Sequence, residues 1–109
     1  MKIKIFENEN VRARLKKCLE EGYFPATVKQ IYDLKQKGKI DKNKGCDTST
    51  LYFKGMIRTA TKKELKNIEK IYEQNGRLLY VNINEWNCNN GLGGDDGLGN
   101  VGRFVGVKK

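Results

Sequence analysis

The spacing of apolar residues changes repeatedly along this chain of 109 residues, and that limits the folds open to it. Residues 2–6 alternate charged and apolar side chains, which is the two-residue period of a half-buried strand. Apolar residues three and four apart then follow from Val11 to Leu19, which is the period of an amphipathic helix. A continuous apolar run at 78–81 indicates a strand that is buried on both faces. A chain that mixes these periods within this length is typical of a single α+β domain.

Residues that start and stop helices place further elements in the first half of the chain. Asn10 is suited to cap the first helix, which Gly22 would end. Pro25 would open a second helix that ends at Gly38. Two short β-prone runs on either side of residues 54–55 predict a hairpin with a two-residue turn.

The second half of the chain contains one predicted helix and two predicted strands. A capping-box pattern predicts the helix over residues 62–74, and residues 77–83 should form a central strand. Residues 84–100 form a predicted long loop rich in Asn, Gly and Asp, and a last strand follows at 104–107. The order β-α-α-β-β-α-β-β predicts one domain over residues 1–109, with about five short strands in a mixed or antiparallel sheet packed by three helices.

Lys and Arg total 22 against 13 Asp and Glu, so the chain carries a formal net charge of +9. Such a surplus attracts phosphates, acidic proteins and anionic surfaces over a long range, although a lysine-rich bias of the proteome would also produce it. Residues 35–44 are the densest basic stretch, with five lysines and one aspartate, and the predicted polar side of the first helix carries a second group. We interpret the two groups as one binding surface for nucleic acid or an acidic nucleoprotein complex: Lys35, Lys37, Lys39, Lys42, Lys44, Arg12, Arg14, Lys16 and Lys17.

The composition argues against an enzyme and against a metal site. Histidine is absent, which removes the commonest general base and the commonest metal ligand. The three cysteines lack a Cys-x-x-Cys spacing, and their odd number together with the charged N-terminal segment predicts reduced thiols in a cytoplasm. No apolar run approaches the roughly 18 residues of a membrane span. We therefore expect a non-enzymatic protein without metal, cofactor or membrane contact, and an enzyme that acts through Asp95 or Asp96 is the third hypothesis.

Trp86 is the only tryptophan, and no apolar period accounts for it within the predicted loop. Loops of this length in a compact domain are usually functional or disordered. An indole ring there could stack on a base or fill a partner's pocket, or it could fold back onto the sheet edge. Together with Arg77 and Arg103, aromatic stacking would bind a small anionic nucleotide, which is the second hypothesis beside polymer binding. The G-x-G-x-x-G sequence at 97–102 lacks the preceding strand and the following helix that a dinucleotide site needs.

Several short motifs are spread over the chain after Phe24. They are Asp47–Tyr52, Gly55, Ile57–Arg58, Ala60–Thr61, Glu64–Leu65, Gly76–Tyr80 and Gly102–Val107. In these motifs the chain resembles small accessory proteins of phages and prophages, to which no single activity is attached. Phage proteins of this size often inhibit host defence, by blocking a nucleoprotein complex or by sequestering a nucleotide signal. The resemblance implies a host cytoplasm and an anionic partner, and it leaves the oligomeric state open, a homodimer included.

Overall fold

Within the described residues, which are 1–7, 10–82, 85–88 and 103–109 of the computed structural model, the chain forms a mixed seven-stranded sheet and four helices. The strands are β1 (Lys2–Phe6), β2 (Phe24–Pro25), β3 (Cys46–Phe53), β4 (Met56–Thr59), β5 (Arg77–Val81), β6 (Trp86–Cys88) and β7 (Phe104–Lys108). The helices are α1 (Val11–Glu20), α2 (Val28–Gln36), α3 (Lys62–Lys66) and α4 (Ile68–Glu73). The α+β class is confirmed, while the predicted numbers of strands and helices are too low.

The last strand of the chain lies inside the sheet rather than at its edge. The order is β1-β7-β3-β5-β6, with β2 beside β7 and β4 beside β3. The described pairings are antiparallel except where β7 meets β3, with Asp47 aligned in parallel with Phe104. β5 is paired on both sides, by β3 and β6, which agrees with the central position that its continuous apolar run predicts.

Successive residues of β7 point into two separate cores. Phe104 belongs to a cluster with Leu15 of α1 and Leu65 of α3, which also contains Ile68 of α4. Val105 belongs to a second cluster beneath α2. Because neighbouring residues in a strand point to opposite faces, α1, α3 and α4 cover one face of the sheet and α2 covers the other.

The predicted helix caps and hairpin turn are confirmed, whereas the predicted start of the second helix at Pro25 is wrong, because Pro25 lies in β2 and α2 begins at Val28. The Asn10 side chain accepts a hydrogen bond from the first turn of α1, and Thr27 and Gln30 form a reciprocal capping box at the start of α2. The hairpin turn has positive φ angles at both central residues, 52° at Lys54 and 78° at Gly55, as its two-residue length requires. These features arise from local backbone geometry, so the sequence pattern is sufficient to predict them.

The predicted helix over residues 62–74 is wrong in one respect, because the structure breaks it at Asn67. Backbone angles of φ −119° and ψ 36° at Asn67 end α3 and separate it from α4. The Asn67 side chain donates from Nδ2 to the carbonyl oxygen of Lys63 at 3.1 Å, which competes with continuation of the helix. Leu65 and Ile68 are buried on either side of the break, so the two short helices keep one apolar face on the sheet.

Two short strands have no counterpart in the prediction. β2 has two residues and β6 has three, which is too few for a period to show in the sequence. β6 falls within the predicted loop at 84–100, where Trp86 pairs with Val81 of β5. Apart from Glu85 and β6, that loop lies outside the described residues.

Glu64, in the first turn of α3, is held by two neighbours. Its carboxylate accepts two hydrogen bonds of 2.7 Å from Arg58 and one of 2.9 Å from the backbone amide of Thr61. The Arg58 guanidinium, and after it the Thr61 amide, holds the pKa of the Glu64 carboxyl at about 2. Because the unfolded value is about 4.3, the stabilisation is fully present above that pH and is lost as the pH falls towards 2.

The substitution Glu64→Gln isolates the charge of this contact, because glutamine also suits the third helical position of a capping box. The pair is exposed enough for solvent to screen it. We therefore expect the melting temperature to fall by only a few degrees at pH 7 and to equal that of the parent near pH 2. Circular dichroism melts at the two pH values measure the difference. If the melting temperature of the variant were lower than that of the parent by the same amount at both pH values, the substitution would act through packing.

Candidate anion-binding surfaces

The lysine-rich stretch is a loop that joins α2 to β3. Ile40 anchors the loop in the core beneath α2, and Arg103 donates from Nη2 to the carbonyl oxygen of Asp41 at 2.9 Å. Within the described part of the chain, the exposed residues Lys39, Lys42 and Lys44 have no carboxylate within ion-pair distance. We call these three residues the loop lysines.

The other two predicted lysines of this stretch have contacts of their own. Lys35 is half-buried and donates from Nζ to the carbonyl oxygen of Asn82 at 3.2 Å. Burial lowers the pKa of the Lys35 ammonium. Lys37 forms an ion pair of 3.1 Å with Asp33 one helical turn earlier. These two cations are therefore less available to a partner than the loop lysines.

Arg14 is not on the polar side of α1, so that part of the prediction is wrong. Its side chain is 1% exposed, and Nη2 lies 2.8 Å from Oδ2 of Asp47, which is equally buried. The reason is helical geometry: Arg14 lies three residues after Val11 and four before Cys18, and both of these face the core. Arg14 therefore belongs to the interior, whereas Arg12, Lys16 and Lys17 are exposed.

The two predicted groups of cations do not form one surface, which corrects the prediction of a shared site. The exposed cations of α1 lie above one face of the sheet. The loop lysines follow α2, and the loop is anchored by Ile40 to the core on the opposite face.

A groove of about 880 Å³ lies between α1 and the pair α3–α4. Leu15, Leu65 and Ile68 form its apolar base. Cations line both walls at four-residue intervals: Arg12 and Lys16 on α1, and Lys62, Lys66 and Lys70 on α3–α4. A step of four residues advances about 6 Å along a helix, which sets the spacing of Arg12 and Lys16 on α1 and of Lys62 and Lys66 on α3, while Lys70 lies beyond the break at Asn67. We call this feature the helix groove.

Three glutamates also line the helix groove, Glu20 on α1 and Glu69 and Glu73 on α4, so each wall keeps a net charge of +1. Glu69 of α4 lies 2.8 Å from Arg12, joining the two walls, and Glu20 lies 4.0 Å from Lys16. Lys62, Lys66 and Lys70 have no ion-pair partner among the residues that the structure describes. We call these three residues the groove lysines. The sequence-based prediction missed them, although their four-residue spacing is visible in the printed chain.

The two arginines of the small-nucleotide hypothesis lie far apart. Arg77 pairs with Tyr52 near the end of β3, and its guanidinium stacks on the Tyr72 ring with 4.8 Å to the ring centroid. Arg103 is bonded near the start of β3, where its carbonyl oxygen accepts from the amide of Asp47 at 2.7 Å. Five residue steps along β3 separate these points, roughly 16 Å between backbone positions. The two arginines are therefore anchored at opposite ends of β3, and their joint contact with one nucleotide stays a prediction.

The remaining predicted site residues lie partly or wholly outside the described residues. The backbone of Trp86 lies in β6, at the end of the sheet that also carries Cys46, but its side chain is outside the described residues. Asp95, Asp96 and the sequence at 97–102 also lie outside them. Stacking by Trp86 and catalysis by either aspartate therefore stay predictions.

Neither a cluster of metal ligands nor a membrane-spanning helix occurs in the described part of the chain. No three Cys, Asp or Glu side chains among those residues lie close enough together to hold a metal ion. None of the described helices combines the length and the apolar character that crossing a bilayer requires. No protein-family model, curated protein or solved structure matches the chain, so its function is inferred from the two cationic surfaces alone.

Proposed function

We propose that this protein is a non-catalytic binder of nucleic acid and that the helix groove holds the phosphate backbone. The observation that carries the proposal is the row formed by Lys62, Lys66 and Lys70, which is exposed and has no carboxylate within ion-pair distance among the described residues. Arg12 and Lys16 face this row from α1. A concave surface with cations on both walls surrounds a linear polyanion better than a convex loop does.

The spacing supports a polymer rather than a single anion. Lys62 and Lys66 are one step of four residues apart on α3, which is about 6 Å along the helix axis, and a nucleic-acid strand repeats its charge every few ångströms. These two lysines can therefore meet successive or alternate phosphates, and Lys70 extends the row beyond the break at Asn67. Every phosphate contact releases condensed counterions, which makes the affinity depend steeply on salt.

A second candidate function is inhibition of a host nucleoprotein complex, which the resemblance to phage accessory proteins favours. The helix groove would then meet the acidic surface of that complex instead of a free strand. Capture from host lysate with and without nuclease separates the two. A nucleic-acid partner disappears after nuclease treatment, whereas an acidic protein partner remains bound.

Two triple variants with the same change of charge test the groove. In the first, the groove lysines are replaced by glutamine: Lys62→Gln, Lys66→Gln and Lys70→Gln. In the second, the loop lysines are replaced: Lys39→Gln, Lys42→Gln and Lys44→Gln. All six side chains are exposed, so each substitution should change the free energy of unfolding by less than about 0.5 kcal/mol.

Affinity for a labelled oligonucleotide is measured between about 50 and 200 mM salt. We expect the groove variant to bind more weakly and to reduce the slope of log affinity against log salt by about 2–3, since each lost phosphate contact removes 0.7–0.9. The loop variant should keep the slope of the parent, apart from a small loss from its lower net charge. The reverse pattern would place the site on the loop, and a parent that does not bind would exclude nucleic acid.

A further inference from the structure

A second cavity, of about 480 Å³, adjoins the helix groove. It lies where β2, the start of α2, the end of β4 and the end of β7 meet. Lys62 lines both the cavity and the groove. A ligand that follows the groove lysines to the start of α3 therefore arrives at the mouth of this cavity.

Lys62, Lys108 and Lys109 line the cavity, and none of the Asp or Glu side chains that the structure describes does. Lys108 donates from Nζ to the backbone carbonyl of Glu21 at 3.4 Å, and the same ammonium lies 4.9 Å from the centroid of the Tyr23 ring. The carboxylate of Glu21 is paired with Lys4 instead. The cavity thus concentrates positive charge in a concave space, which favours an anionic occupant.

Aromatic side chains form another part of the cavity lining. Tyr23 and Phe24 are both half-buried there. The Tyr23 ring packs edge-on against Phe6 with 5.8 Å between centroids, which holds it in place. A volume of this size lies within the range of small-ligand pockets, and lysines beside aromatic rings match a phosphate joined to a base.

We infer that this cavity holds one nucleotide of a single-stranded nucleic acid whose backbone continues along the helix groove. Its phosphate lies against Lys62 and Lys108, and its base packs against Tyr23 and Phe24. The inference rests on the proposed function and narrows it, because a base can enter the cavity only when it is not paired and stacked within a duplex. The protein therefore prefers single strands to duplexes of the same length.

The first test leaves the protein unchanged and alters the ligand. One base at a time is removed from a short single-stranded oligonucleotide by abasic substitution, and the affinity of each is measured. We expect one position, or two neighbouring positions, to lose affinity by about 5- to 150-fold, the range for one stacked base. Equal affinity for every abasic oligonucleotide would overturn the base contact while leaving phosphate binding in the groove intact.

The second test links that position to the cavity. The variant Lys108→Gln/Lys109→Gln is compared with Lys39→Gln/Lys42→Gln, which removes the same charge in the loop that follows α2, outside the cavity, and circular dichroism checks that both fold. We expect the abasic penalty to shrink in the first variant and to persist in the second. An abasic penalty of unchanged size in Lys108→Gln/Lys109→Gln would place the base elsewhere.

Competition separates a strand from a free nucleotide. A nucleoside monophosphate, inorganic phosphate and a duplex of equal length are each added to the complex with the labelled single strand. We expect the duplex and the two small anions to compete at least tenfold more weakly than the unlabelled single strand. If the monophosphate competed as well as the unlabelled strand, the cavity would bind a free nucleotide and the inference of a bound strand would be wrong. If no strand binds at all, the proposed function fails as well.

Discussion

Asp47→Asn is expected to lower the free energy of unfolding by about 3–5 kcal/mol, because it leaves the charge of Arg14 buried without the carboxylate that balances it. The two side chains are each 1% exposed and lie 2.8 Å apart. The pKa of the nearby Tyr80 phenol is raised, first by burial and then by the Asp47 carboxylate. Urea denaturation followed by circular dichroism measures the loss.

Two controls make this result specific. Asp33→Asn is the same chemical change in an exposed ion pair with Lys37, and it should cost less than about 0.5 kcal/mol. The double variant Arg14→Met/Asp47→Leu should recover most of the loss, because an apolar pair of similar volume often replaces a buried ion pair without cost. If Asp47→Asn and Asp33→Asn lowered the free energy of unfolding by the same small amount, the Asp47 carboxylate would not stabilise the charge of Arg14 in the folded state.

Ile68→Ala is expected to lower the free energy of unfolding by about 2–4 kcal/mol, because it leaves a cavity where α4 packs on the sheet. Ile68 is 4% exposed and shares a core cluster with Leu15, Leu65 and Phe104. The matched control is Ile57→Ala on β4, where the side chain is 53% exposed and the loss should be below about 1 kcal/mol. Equal losses at the two positions would contradict the packing of α4.

The sequence was sufficient for features that neighbouring residues determine. Caps at Asn10 and Thr27 and the turn at 54–55 were predictable, because each depends on a few consecutive residues. The spacing of Arg14 to Val11 and Cys18 places it on the buried side of α1, but its partner was not predictable from the helix, since Asp47 lies 33 residues away in the sequence.

The candidate site shows the same limit. The lysines of residues 35–44 are obvious in the sequence. Their separation from the cations of α1 is not, because it depends on which face of the sheet each helix covers. The groove lysines become one wall of a groove only because α3 and α4 pack beside α1, about fifty residues earlier in the chain. Composition predicted an anionic partner, whereas the choice between two surfaces required the packing of the helices.

The position of β7 has a consequence for how the chain reaches its folded state. In the described sheet, β1 pairs with β7 alone, so the first strand has no neighbour until the last one is present. Phe104 and Val105 of β7 also complete both cores. During synthesis, at about 5–20 residues per second, β1 and both cores remain incomplete until β7 has left the ribosome. Folding then depends on contacts between strands about a hundred residues apart, the kind of topology that folds slowly.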